Sequence, residues 1–147
     1  MQYRPDIVIS DRSGAAVAII EVKALSGGVR TAARYLRNLF AHGVLPHARF
    51  ALLITADTGY LWSAPDAVRR EAAPSLTFPM DRVVQHYLPA DRGSTPVRDL
   101  VLESVVERWL ADLADGIVID ARVESSLQEA GFLHAVRDSL VNVLAPA

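Results

Sequence analysis

Asp6, Glu21 and Lys23 are the residues of this sequence whose types and spacing suit chemistry. Each is set in apolar text: Asp6 precedes Ile7-Val8-Ile9, and Glu21-Val22-Lys23 follows Ala18-Ile19-Ile20. Burying charge among such residues is expensive unless the charges pair or hold a metal ion. Two carboxylates and one amine at this spacing suit a divalent-cation site beside a lysine. The chemistry that combination favours is metal-dependent hydrolysis of a phosphodiester.

These groups need a sheet to position them. Residues 4–11 and 16–24 read as two strands joined by the turn Asp11-Arg12-Ser13-Gly14. The second is apolar on both faces apart from Glu21 and Lys23, as a strand covered on both sides would be. Glu21 and Lys23 share a face because side chains alternate along a strand. Asp6 joins that face if Asp11 pairs with Gly14 or with Ala16, and leaves it on a one-residue slip. In the shared-face register Asp6 and Glu21 offer hard oxygen ligands, and the backbone carbonyl of Val22 adds a third. Magnesium favours such oxygens and keeps several waters. Lys23 is then placed to orient a water or to neutralise charge developing on the phosphate.

Further along, residues 29–41 predict a helix, 49–55 a buried strand, 59–63 a short strand and 66–73 a short helix. The stretch 74–95 carries Pro74, Pro79, Pro89 and Gly93 and reads mostly as loop, with a brief helix near 81–87. Ser94-Thr95-Pro96 opens a helix that runs to about Ala114. Ile117-Val118-Ile119 suggests a short strand, and 125–144 a final amphipathic helix. The expectation is a single α/β domain over 1–147: a core at 1–63, a loop-rich connection at 64–95, and C-terminal helices at 96–147 whose apolar faces suit a dimer arm.

Pro5-Asp6, a gap, and Glu21-Val22-Lys23 resemble the signature of the PD-(D/E)XK nuclease superfamily. The helix, strand and turn after them are similar to the nuclease domain of type I restriction motor subunits. The likeness covers about residues 3–63. It implies a restriction-endonuclease-like mixed sheet of about four or five strands flanked by helices. It also implies Mg²⁺ (or Mn²⁺) held by Asp6 and Glu21, catalysis by Lys23, and a nucleic-acid substrate, DNA more than RNA. Homodimerisation, or service within a larger defence or restriction protein, is also implied.

Family members carry a helix, often with another acidic ligand, and a strand before the Pro-Asp motif. Only four residues precede Pro5 here. Those elements are therefore expected to be cut off, absent or replaced, and the final helix with Glu124, Glu129 and Asp138 is the candidate to fill their space. Many relatives have a glutamine in the helix after the lysine, where this chain has Arg30, Arg34 and Tyr35. The alternative is a module of the same fold that binds nucleic acid or a protein partner without cutting, its charges forming a structural ion pair.

The composition narrows the field. The chain has 147 residues, 51% hydrophobic and 22% charged, which suits one globular domain. It has no cysteine, which excludes disulfides, thiolate metal sites and cysteine nucleophiles and fits a cytoplasmic location. No apolar run approaches the roughly 18–20 residues of a membrane helix, and the first residues lack signal-peptide character. The net charge is −2, so contact with nucleic acid requires a local patch. Arg30, Arg34 and Arg37 form one, either a phosphate-tracking face or ordinary solvated surface. His42 and His47 read as surface residues, and Trp62 and Trp109 as core anchors.

Overall fold

The computed structural model describes residues 4–25, 27–41, 47–88 and 97–144. Six strands form one sheet: β1 (Ile7–Ser10), β2 (Ala16–Val22), β3 (Phe50–Ile54), β4 (Thr58–Trp62), β5 (Leu76–Pro79) and β6 (Leu140–Val143). Their order is β5-β4-β3-β2-β1-β6. The central pair β2–β3 is parallel and all other pairs are antiparallel, so the sheet is mixed. Parallel neighbours need a crossover, and α1 (Val29–Phe40) lies in that connection.

Alternation along β2 divides the core in two. Ala18, Ile20 and Val22 face one layer with Ile7 and Ile9. That layer is covered by α3 (Asp81–Tyr87), α4 (Asp99–Ala114), α5 (Ala121–Glu129) and α6 (Phe132–Val136). Ile19 and the partly buried Val8 face the other, under α1 and α2 (Pro65–Arg69). Trp109 is fully buried in the first layer and Trp62 in the second. In α1 the buried residues Ala32, Ala33, Leu36 and Phe40 recur at helical spacing, so one stripe meets the sheet.

Several expectations are corrected. The part of the expected loop that is described, 74–88, carries β5, which forms beside β4 through the pairs Gly59–Phe78 and Tyr60–Thr77, while 89–95 lie outside the described residues. The brief helix near 81–87 is present as α3. Ile117–Ile119 forms no strand; Ile117 and Val118 are exposed and lie between α4 and α5. The continuous helix over 125–144 breaks at Gly131, whose φ of +82° a helix cannot accept, and again at Asp138 with φ +61°. Beyond Asp138 the chain enters β6, which pairs with β1 and makes a sixth strand. The buried residues of α4, α5 and α6 pack against the chain's own sheet. The opening Ser94-Thr95-Pro96 and His42 lie outside the described residues, and His47 is exposed. Among the described residues no helix is long and apolar enough to cross a membrane.

Candidate functional site

The hairpin β1–β2 closes through Asp11. Its Oδ1 accepts the backbone N–H groups of Ser13 and Ala15 at 2.9 and 3.0 Å, and Gly14 takes φ +88°. The strands then pair Ile7–Ile20, Val8–Ile19 and Ile9–Ala18, with an irregularity at Ser10 that sets it opposite Ala16. Carried one residue on, the same register sets Asp6 opposite Glu21. Glu21 follows Ile19 in parity and so belongs to the α1 side of the sheet; Asp6 and Lys23 stand just beyond the ends of β1 and β2, beside it.

Asp6 is held from two directions. Its backbone carbonyl accepts the N–H of Leu144, just past β6, at 3.0 Å. Its side-chain Oδ2 accepts the N–H of Val22 at 2.9 Å. A residue's N–H and C=O project to the same side of a strand, so the Val22 carbonyl also faces the Asp6 side. The Glu21 side chain lies close enough to Asp6 to favour the charged form of its carboxyl. Burial pushes the Asp6 carboxyl above the ordinary aspartate range, the Val22 N–H and Glu21 only partly opposing it. Glu21 is buried, 9% exposed, at the end of an otherwise apolar strand.

Lys23 is the only lysine in the sequence; the other fourteen basic residues are arginines. Its N–H continues the parallel ladder to the Ile54 carbonyl at 3.1 Å. Its ammonium meets Asp99 Oδ2 at 3.0 Å. Asp99 is the first residue of α4, and its other oxygen accepts the N–H of Ala24 at 2.6 Å. This contact, and lesser ones from Tyr35 and Glu21, hold the Lys23 amine above the usual lysine range. It is therefore an ammonium at neutral pH, a donor and a positive charge rather than a base.

Asp99 and Glu103 escaped the sequence reading, in which Tyr35 stands only as a residue of the helix where the resembled superfamily often carries a glutamine. Asp99 and Glu103 come from α4, and burial plus the charge of Asp6 raise the Glu103 carboxyl. Tyr35 comes from α1, where it interacts with Glu21, Lys23, Asp6 and Asp99. Burial, then Glu21, raises its phenol, which keeps the O–H proton at neutral pH. The expectation that Glu124, Glu129 and Asp138 fill the space beside the motif is corrected. Glu124 instead accepts the N–H groups of Ile119 and Asp120 at 2.7 and 2.9 Å, capping the entry to α5. The acids beside Asp6 belong to α4, and the strand beside β1 is β6.

The arginine face is not beside the acids. At about 100° per residue, Arg30, Arg34 and Arg37 lie well round the helix from Tyr35. Arg34 and Arg37 both pair with Glu71, past the end of α2, at 3.7 and 3.6 Å. Asp57, at the β3–β4 turn, accepts from Thr55 Oγ1 at 2.9 Å.

Asp6, Glu21, Asp99 and Glu103 thus gather acidic groups around the Lys23 ammonium. Among the described residues no group of three or more His, Asp or Glu side chains is arranged to hold a metal ion. The arrangement on offer is smaller: two neighbouring carboxyls and a main-chain carbonyl, a set that suits an ion keeping most of its water. No protein-family model, curated protein or solved structure matches the chain.

Proposed function

We propose that this chain is a Mg²⁺-dependent nuclease of the PD-(D/E)XK type, with a restriction-endonuclease-like core, hydrolysing phosphodiesters in nucleic acid and favouring DNA. The observation that supports the reading is the nearness of the Asp6 and Glu21 carboxyls at the end of β2, beside the sole lysine. Two neighbouring carboxylates repel unless a proton or a cation lies between them. A binding role accounts for their being kept together at the end of a core strand.

In this reading Asp6, Glu21 and the Val22 carbonyl would hold Mg²⁺, with Mn²⁺ a substitute. When bound, the ion acidifies water and draws charge from the phosphate. The chain's own residues do the rest. The Val22 N–H fixes the Asp6 carboxylate. The Lys23 ammonium supplies positive charge where negative charge builds on the phosphate oxygens. The Tyr35 hydroxyl, still protonated, donates a hydrogen bond from the facing helix. Leu53 and Tyr60, buried on the same side, give the site an apolar floor in which these charges act at reduced dielectric.

One observation favours a second reading. The Lys23 amine is engaged by Asp99, as a structural ion pair in a non-cutting, nucleic-acid- or protein-binding module would be. Cleavage of plasmid and of single-stranded DNA with Mg²⁺, Mn²⁺ or EDTA separates the two. The nuclease reading expects cutting that EDTA stops and that Glu21→Gln or Lys23→Ala lowers at least 100-fold, as loss of a group acting in the transition state does. Undiminished cutting by the double variant would end it.

A further inference from the structure

We propose that Asp99 is a positioning residue for Lys23, setting the direction and charge of the site's single amine from outside the sheet. The proposal rests on the nuclease reading and adds a control element to that site. Asp99 makes two contacts of different kinds. Its Oδ2 takes the Lys23 ammonium at 3.0 Å, and its Oδ1 takes the Ala24 N–H at 2.6 Å. The backbone bond fixes where the carboxylate stands relative to the end of β2, so the charge is presented to Lys23 from a fixed point.

The placement suits the task. As the first residue of α4, Asp99 sits where the helix dipole favours a negative charge. Lys23 and Asp99 are 42% and 45% exposed at their side chains, so the pair is weak enough to open. The groups facing the amine are Glu21 of β2, Asp6 just before β1, Tyr35 of α1 and Asp99 of α4. Only Asp99 among these stands on the helical layer that covers the opposite face.

Asp99→Asn tests this, because an amide oxygen still accepts the Ala24 N–H while the charge is lost. Lys23 being the only lysine, acylation by N-hydroxysuccinimidyl acetate, read by mass spectrometry of its peptide, follows that one amine. At a fixed pH, Asp99→Asn should acylate about two- to five-fold faster than wild type, since the amine is no longer held by a carboxylate 3.0 Å away. Asp99→Glu should restore the slow rate, and 1 M NaCl should speed the wild type as screening loosens the pair. On DNA, Asp99→Asn should cleave more slowly and with a changed pH profile, and Asp99→Glu should recover.

Equal acylation of wild type and Asp99→Asn would overturn the proposal. So would a wild-type rate indifferent to salt, a test that needs no variant to fold. If acylation responds as expected but the wild type cuts no nucleic acid, Asp99 still positions Lys23 and the nuclease reading is what fails.

Discussion

The N–H of Val22 donates to Asp6 Oδ2 at 2.9 Å, so a side chain occupies the place where a ladder carbonyl would sit. That bond ties the first acid of the site to the strand bearing the second. Asp6→Ala removes the acceptor and should cost about 1–2 kcal/mol, the usual penalty for stranding a partly buried donor. Asp6→Asn keeps an acceptor and removes the cost of burying a carboxylate. Without divalent cation it should match or exceed wild type by up to about 1 kcal/mol, or about 3 °C in Tm, solvent screening holding the gain down. Urea and thermal unfolding in EDTA check the order. Asp6→Asn falling below Asp6→Ala would contradict it.

The raised Asp6 carboxyl fixes the sign of a pH effect. A group whose folded pKa lies above its unfolded value stabilises most below the unfolded value and loses that contribution as pH rises through the folded one. Burial makes Asp6 such a group. The Tm advantage of Asp6→Asn over cation-free wild type should therefore shrink as pH falls from neutral toward 4. Cation affinity should move the other way for wild type, weakening on acidification earlier than for a solvated aspartate. Paired Tm and Mn²⁺ titrations over pH 4–8 read both.

Tyr35 is the hydroxyl of α1 that interacts with the acid cluster. Tyr35→Phe keeps the ring and removes the donor. A hydrogen bond to a charged group is worth about 1.5–3 kcal/mol, so kcat/KM on DNA should fall about 10- to 100-fold. Unfolding free energy should change by less than about 1 kcal/mol. Unchanged cleavage kinetics would remove Tyr35 from the site.

Gly59 supports the far side of the sheet. A Cβ built there would stand 2.2 Å from the Phe78 ring, which packs on Trp109 with centroids 6.0 Å apart. Phe78 is buried between sheet and helices and cannot swing away freely. Gly59→Ala should lose about 2–3 kcal/mol, at the upper end of overpacking costs, measured by urea denaturation. A wild-type midpoint would mean that β5 is free to shift.

The first half of the chain was legible because its signals are local. Alternation and apolar runs give β1, β2, β3 and β4, and helical spacing gives α1. Neither even-loop register forms at the turn: Asp11 bonds to Ala15 and Ser10 faces Ala16, the slipped parity, and the irregularity between Ile9 and Ser10 restores the parity that sets Ile7 opposite Ile20. The second half obeys different forces. Leu140-Val141-Asn142-Val143 continues an apolar rhythm that reads as helix, yet its partner is β1, more than 130 residues away. Gly131, inside the expected helix, was the available signal for a break. Asp99 and Glu103 could not be assigned to the site from sequence, since their meeting with Lys23 and Asp6 depends on how α4 packs on the sheet. The solitary lysine was the overlooked clue: in a chain that otherwise uses arginine, an ammonium placed beside two acids marks a position where a guanidinium does not serve.

The central claim is that Asp6 and Glu21 together hold a divalent cation. Calorimetric titration of Mn²⁺ and Mg²⁺ into the nucleic-acid-free protein at neutral pH tests it directly. The account predicts one ion per chain for wild type, and at least tenfold weaker binding for Asp6→Asn and for Glu21→Gln, with both variants folded. Binding of equal strength in wild type and the doubly substituted protein, or no binding to wild type at millimolar cation, would contradict it.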